Sequence, residues 1–107
     1  MKIIIYVYLM SKNIYILKKS NRRGKRFVLE MGDKMKHHFA SDVGKTYIDH
    51  QDDKKKDAWI ARHRGDKNWD NIHSGIYNSR YLLWSKPTLK EAIKDYEKKH
   101  NVRIKLQ

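Results

Sequence analysis

The chain has 107 residues, with 25 Lys/Arg against 12 Asp/Glu, no cysteine and a formal charge of +13. Such a length supports one domain around one core, and the lack of cysteine excludes disulfides, thiolate metal sites and cysteine nucleophiles. The charge is uneven: residues 1–26 hold eight Lys/Arg and no acid, leaving seventeen bases against twelve acids in the rest, a distribution that favours a polyanionic partner because neutralising phosphates releases counterions.

Ile3–Met10 is an apolar run behind a single lysine. It lacks a small-residue cleavage pattern and falls short of the roughly twenty apolar residues a membrane helix needs. Its β-branched and aromatic content predicts a strand or a segment that docks on a neighbouring subunit. Residues 1–17 are therefore set apart from a single α+β domain over 18–107. Asn13–Lys18 predicts a strand, Ser20–Gly24 a turn, Lys25–Met31 a second strand and Met35–Phe39 its return, an antiparallel meander of three to four strands. Six of the nine residues from Lys18 to Arg26 are basic. Lys18, Lys19, Arg22, Arg23, Lys25 and Arg26 thus crowd one hairpin tip, a phosphate-gripping loop or a nuclear localisation patch if not simply a solvated turn.

Ala40–Gln51 is polar and turn-rich. Asp52 then caps a helix expected to run to Arg64, with Gly65 as its stop and Trp59, Ile60 and His63 resting on the sheet. Gly75–Ser85 predicts a short helix ended before Pro87. Thr88 with Glu91 three residues on marks the next helix start, and Leu89, Ala92, Ile93 and Tyr96 make its apolar stripe. Lys90, Lys94 and Lys98 form a row on the opposite side, a second candidate phosphate contact. Val102–Leu106 alternates and predicts a closing strand. With 39% apolar residues, seven tyrosines and three tryptophans, the core is expected to be built from a few large rings.

From Gly44 onward the chain resembles a family of short, basic, uncharacterised proteins encoded by nucleocytoplasmic giant DNA viruses and some large phages. The resemblance is carried by Lys45–His50, Ala61-Arg62-His63, Trp69, Ser74-Gly75-Ile76, Ser79-Arg80-Tyr81-Leu82-Leu83-Trp84-Ser85-Lys86-Pro87-Thr88-Leu89 and Ile93-Lys94-Asp95. The basic hairpin ending at His38-Phe39 looks like the family's N-terminal part, although the family has Gly-Ala where this chain has Ala40-Ser41. The segment between Ile76 and Ser79 is also shorter than the family's. The resemblance implies a viral origin and a packed α+β unit, and it transfers no catalytic residue.

The leading expectation is a non-enzymatic viral protein, virion-associated or inside the infected cell rather than secreted. It would bind the DNA or RNA backbone through the hairpin, with Arg80 and the lysine row as further contacts. The alternative is a minor structural protein docking on other virion proteins through Ile3–Met10. A metal-dependent nuclease is a third possibility, because Asp49, His50, Asp52, Asp53 and Asp57 lie close together with His37 and His38 on a nearby strand. Capping and first-turn electrostatics account for several of those carboxylates, and no cofactor, membrane span or small-molecule substrate is expected. Tyr77, Tyr81 and Trp84 could stack on bases beside Arg80, but their helical spacing favours a core role.

Overall fold

Runs rich in β-branched and aromatic residues, punctuated by glycine, produce the first half of the molecule. The computed structural model describes residues 13–32 and 35–107, so the expectations for Ile3–Met10 lie outside the described residues. Strands β1 (Ile14–Lys19), β2 (Lys25–Glu30) and β3 (Lys36–Ser41) form an antiparallel meander. The last strand, β4 (Arg103–Leu106), lies parallel to β1 on its other side. The result is a mixed four-stranded sheet of order β3-β2-β1-β4.

Period-two alternation sends Tyr15, Leu17, Phe27, Leu29 and Phe39 to one face of the sheet. Leu17 pairs with Leu29 and Phe27 with Phe39 across the strands, and the phenyl rings of the second pair stack at 6.0 Å. The same alternation separates Lys18 from Lys19. Lys18 turns to the opposite face, where it and Lys36 each meet Glu30 at 3.3 Å. Ala40 in β3 has φ +63°, a left-handed conformation that strains an alanine by roughly 1 kcal/mol.

The segment between β3 and the long helices contains a short helix that the turn-rich sequence concealed, α1 (Tyr47–His50). Helix α2 (Asp53–His63) begins as expected, because the Asp52 carboxylate accepts the backbone N–H groups of Lys54 and Lys55. It stops just before Gly65, as expected, without Gly65 taking the left-handed conformation of a glycine cap. Arg64 closes the last turn in an ordinary right-handed conformation by donating its N–H to the Ile60 carbonyl. Trp59 does not anchor α2 on the sheet as expected. Its ring stacks on Trp84 at 4.9 Å and 9°, with Trp69 on its flank at 5.8 Å.

The predicted helix over Gly75–Ser85 divides in two. Helix α3 (Gly75–Ser79), capped by the Ser74 hydroxyl, passes directly into a π-helical turn, Arg80–Trp84. A β-carbon on Gly75 would stand 3.5 Å from that of Phe39, ordinary contact distance, so α3 rests directly against β3. The wider π turn buries Leu82, Leu83 and Trp84 together. Helix α4 (Leu89–His100) starts at Thr88, whose hydroxyl accepts the Glu91 N–H, and ends at left-handed Asn101. Its Tyr96 is fully buried, and the Tyr96 hydroxyl donates to the carbonyl oxygen of the fully buried Asn78. The Asn78 amide in turn donates to the Ile72 and Ser74 carbonyls. His100 extends the chain of bonds, donating from Nδ1 to the Tyr96 carbonyl and accepting the Tyr77 hydroxyl on Nε2. A core of few aliphatics is thus fixed by rings whose polar ends are satisfied.

Candidate nucleic-acid interface

The turn from β1 to β2 projects cations because its backbone is closed from within. Ser20 and Arg26 pair through their backbones, Lys25 donates to the Arg22 carbonyl, and Gly24 supplies φ +81°. The Ser20 hydroxyl accepts the Arg22 N–H at 2.9 Å and shares a hydrogen bond of 2.7 Å with His38 Nδ1, bracing the tip against β3. Burial first, then the charges of Arg22 and Lys36, lowers the His38 pKa below its usual value.

Beside the tip lies an open groove of about 750 Å³, closed on its far side by the 42–45 loop and α1. Lys19, Arg22, Arg23, Lys25, Arg26 and Lys45 line it, against two acids, Asp42 and Asp49. Arg26 and Asp49 engage each other. The guanidinium donates twice to the carboxylate, both at 2.7 Å, and once to the Thr46 hydroxyl at 3.2 Å. Asp49 also accepts the Thr46 N–H at 2.7 Å and its hydroxyl at 2.9 Å. These bonds, that from Arg26 foremost, hold the Asp49 carboxyl well below the usual carboxylate range, outweighing burial. The remaining five cations of the groove are exposed and make no ion pair among the described residues.

Other residues expected at the interface lie elsewhere. Lys18 faces Glu30 across the sheet. Arg80 is drawn inward. Its guanidinium lies 4.0 Å from the Trp69 ring centre and 4.6 Å from that of Tyr81, and it bonds the Trp69 carbonyl and the Asp70 carboxylate at 3.1 Å each. This converts Arg80 from a free contact into a clamp on the 66–74 connector. Lys90, Lys94 and Lys98 are exposed on α4, where Lys94 and Lys98 line a separate groove with Arg103. Arg103 pairs with Ile14, at the opposite end of β1 from the tip, about 17 Å away at 3.3 Å per residue. The row is therefore not brought into the tip groove.

The carboxylates that suggested metal chemistry are spread over local duties. Asp52 caps α2, Asp49 binds Arg26, and Asp53 accepts the Tyr47 hydroxyl. Among the described residues no group of three or more His, Asp or Glu side chains is placed to hold a metal ion. Tyr77 and Trp84 are buried, with Tyr81 packed against the same core. Lys45 lines the groove without any mark in the sequence. Nothing in its isolated position within a polar loop marks it, and only the fold brings that loop against the hairpin.

Residues 15–63 match a family model. It describes a family of unknown function (DUF5754), and the matched stretch runs from β1 to the end of α2, containing every residue that lines the tip groove. No curated protein and no solved structure matches the chain. No helix among the described residues is long and apolar enough to cross a membrane.

Proposed function

We propose that this is a non-enzymatic protein that binds nucleic acid through the phosphate backbone, with Lys19, Arg22, Arg23, Lys25 and Lys45 as the contacts. The observation that carries this reading is the open groove lined by those five cations, none of them spent on an internal ion pair among the described residues. Exposed lysine and arginine around a concave surface supply charge without a fixed pattern of base-edge donors, so binding has little sequence preference. Arg26 is a reserve contact, held by Asp49. The virion setting is part of the proposal and rests on the family resemblance of the sequence.

Five phosphate contacts on duplex DNA give a slope of log K against log salt near −4.5, a loss of roughly 500-fold in affinity between about 50 and 200 mM salt. Fluorescence anisotropy with a labelled duplex measures it. Changing Lys19, Arg22, Arg23 and Lys25 together to Gln should flatten the slope to about −1. A flat salt response in the unaltered protein, or a quadruple variant that binds as tightly as the parent, would remove the basis of the proposal.

A further inference from the structure

Lys45 stands between two hollows. One is the tip groove, and the other is a smaller pocket of about 370 Å³ lined by Lys45, His50, Lys55, Ala58, Arg62 and Trp84. That volume falls within the range of small-ligand sites, about 300–1,000 Å³. Lys55, Ala58 and Arg62 recur at i, i+3 and i+7 along α2 and so share one face of the helix. They give the pocket two cations and a methyl group, Lys45 adds a third cation, and no acid lines it. Trp84 contributes an indole held in place by its stack on Trp59.

His50 packs behind Trp84 on the inner side of the hollow. Its Nδ1 accepts the Asp52 N–H at 3.0 Å, so the neutral ring carries its proton on Nε2. Nε2 is buried without a hydrogen-bond partner, the only such side-chain polar atom among the described residues. The ring stands edge-on to Trp84 at 5.5 Å, a weak contact beside a true hydrogen bond. The edge of Trp84 and three cations with no acid among them match one ligand chemistry: a flat heterocycle flanked by phosphates.

We infer that this pocket receives one unpaired nucleobase, the flanking phosphates lying on Lys45, Lys55 and Arg62, so that the protein prefers single strands to duplex. The inference rests on the backbone-binding proposal and adds the class of nucleic acid to it. Counterion release alone favours the duplex, whose coefficient per contact is about 0.9 against about 0.7 for a single strand. A preference for single strands therefore requires contacts beyond the backbone.

The experiment compares the full chain on labelled oligothymidylate of about fifteen nucleotides and on a duplex of equal length, by anisotropy at about 150 mM salt. The single strand should bind about tenfold more tightly. Ala58 is an exposed helical position, so Ala58→Phe fills the pocket while keeping every cation. It should bring single-strand affinity down to the duplex value and leave duplex binding unchanged. Arg62→Gln, which fills nothing, should weaken single-strand binding more than duplex binding and secures the test should Ala58→Phe not fold. Equal or duplex-favouring binding by the parent overturns the inference, and so does a folded Ala58→Phe that binds the single strand normally. In either case the backbone proposal stands. Failure of both probes to bind overturns both.

Discussion

Replacing Asp49 with asparagine should make this protein a tighter nucleic-acid binder and a less stable one. In the resting structure the Asp49 carboxylate occupies the face of Arg26 that a phosphate would use, through two charge-assisted bonds of 2.7 Å. Carboxylate and phosphate compete for the same planar fork. An amide at position 49 gives up the charge and one acceptor oxygen, so Arg26 joins the five free cations of the groove. One added contact on duplex DNA moves the salt slope from about −4.5 to about −5.4, which corresponds to about 15-fold tighter binding at 50 mM salt and about 4-fold at 200 mM. The lost pair is partly exposed, with side-chain accessibilities of 25% for Arg26 and 26% for Asp49, so its removal should cost about 1 kcal/mol and lower Tm by roughly 5 °C. Anisotropy titrations at several salt concentrations, paired with thermal melts, read both effects. An Asp49→Asn protein with a native circular dichroism spectrum and unchanged affinity and slope would show that Arg26 lies outside the contact surface.

Arg80→Ala should destabilise the fold by about 2 kcal/mol through loss of its contacts with two rings and a carbonyl, with no change in the salt slope of binding. Weakened binding at unchanged stability would instead return Arg80 to the interface. Asn78→Ala strands the Tyr96 hydroxyl and two carbonyls at once, so urea denaturation should show a loss of about 3 kcal/mol, against about 1 kcal/mol for Tyr96→Phe; equal losses would contradict the bonding scheme. Ala40→Gly relieves the left-handed backbone of β3 and should raise stability by about 1 kcal/mol in urea denaturation; an unchanged midpoint would refute the strain at that position. Lowering the pH should weaken the fold from about 6.5 downward. Burial first, then neighbouring charge (His73 for His37; chiefly Arg22 and Lys36 for His38) depresses both histidines below the ordinary histidine value of 6.5. The unfolded chain thus binds more protons than the folded one between the two sets of values, and stability rises with pH through that window. Melts at a series of pH values that show no decline below 6.5 would refute it.

Local chemistry made much of the fold readable in advance. The runs over 14–19, 25–30 and 36–41 carry strand-forming residues bounded by turns, and Asp52 and Thr88 announce their helices through backbone N–H groups that need acceptors. What escaped is what depends on distant partners. Nothing in Arg103–Leu106 specifies a parallel neighbour 89 positions away from Arg103 at Ile14. The π turn is a response to packing Leu82, Leu83 and Trp84 into one core, and periodicity over five residues does not reveal it. The tip cations could be named from sequence density alone, but density does not show that Arg26 is already held by Asp49 or that Lys18 points the other way. Lys45, Lys55 and Arg62 were ordinary surface charges until the fold placed them around Trp84.

The three tryptophans of the chain lie in a single stack, Trp69 beside Trp59 and Trp59 upon Trp84. Tryptophan emission, excited selectively over that of tyrosine, is therefore a local signal rather than an average over the molecule. It reports from the place where α2, the π turn and the 66–74 connector meet, one wall of the small basic pocket. The protein carries its own unlabelled optical probe there, and the sheet beneath is dark at those wavelengths.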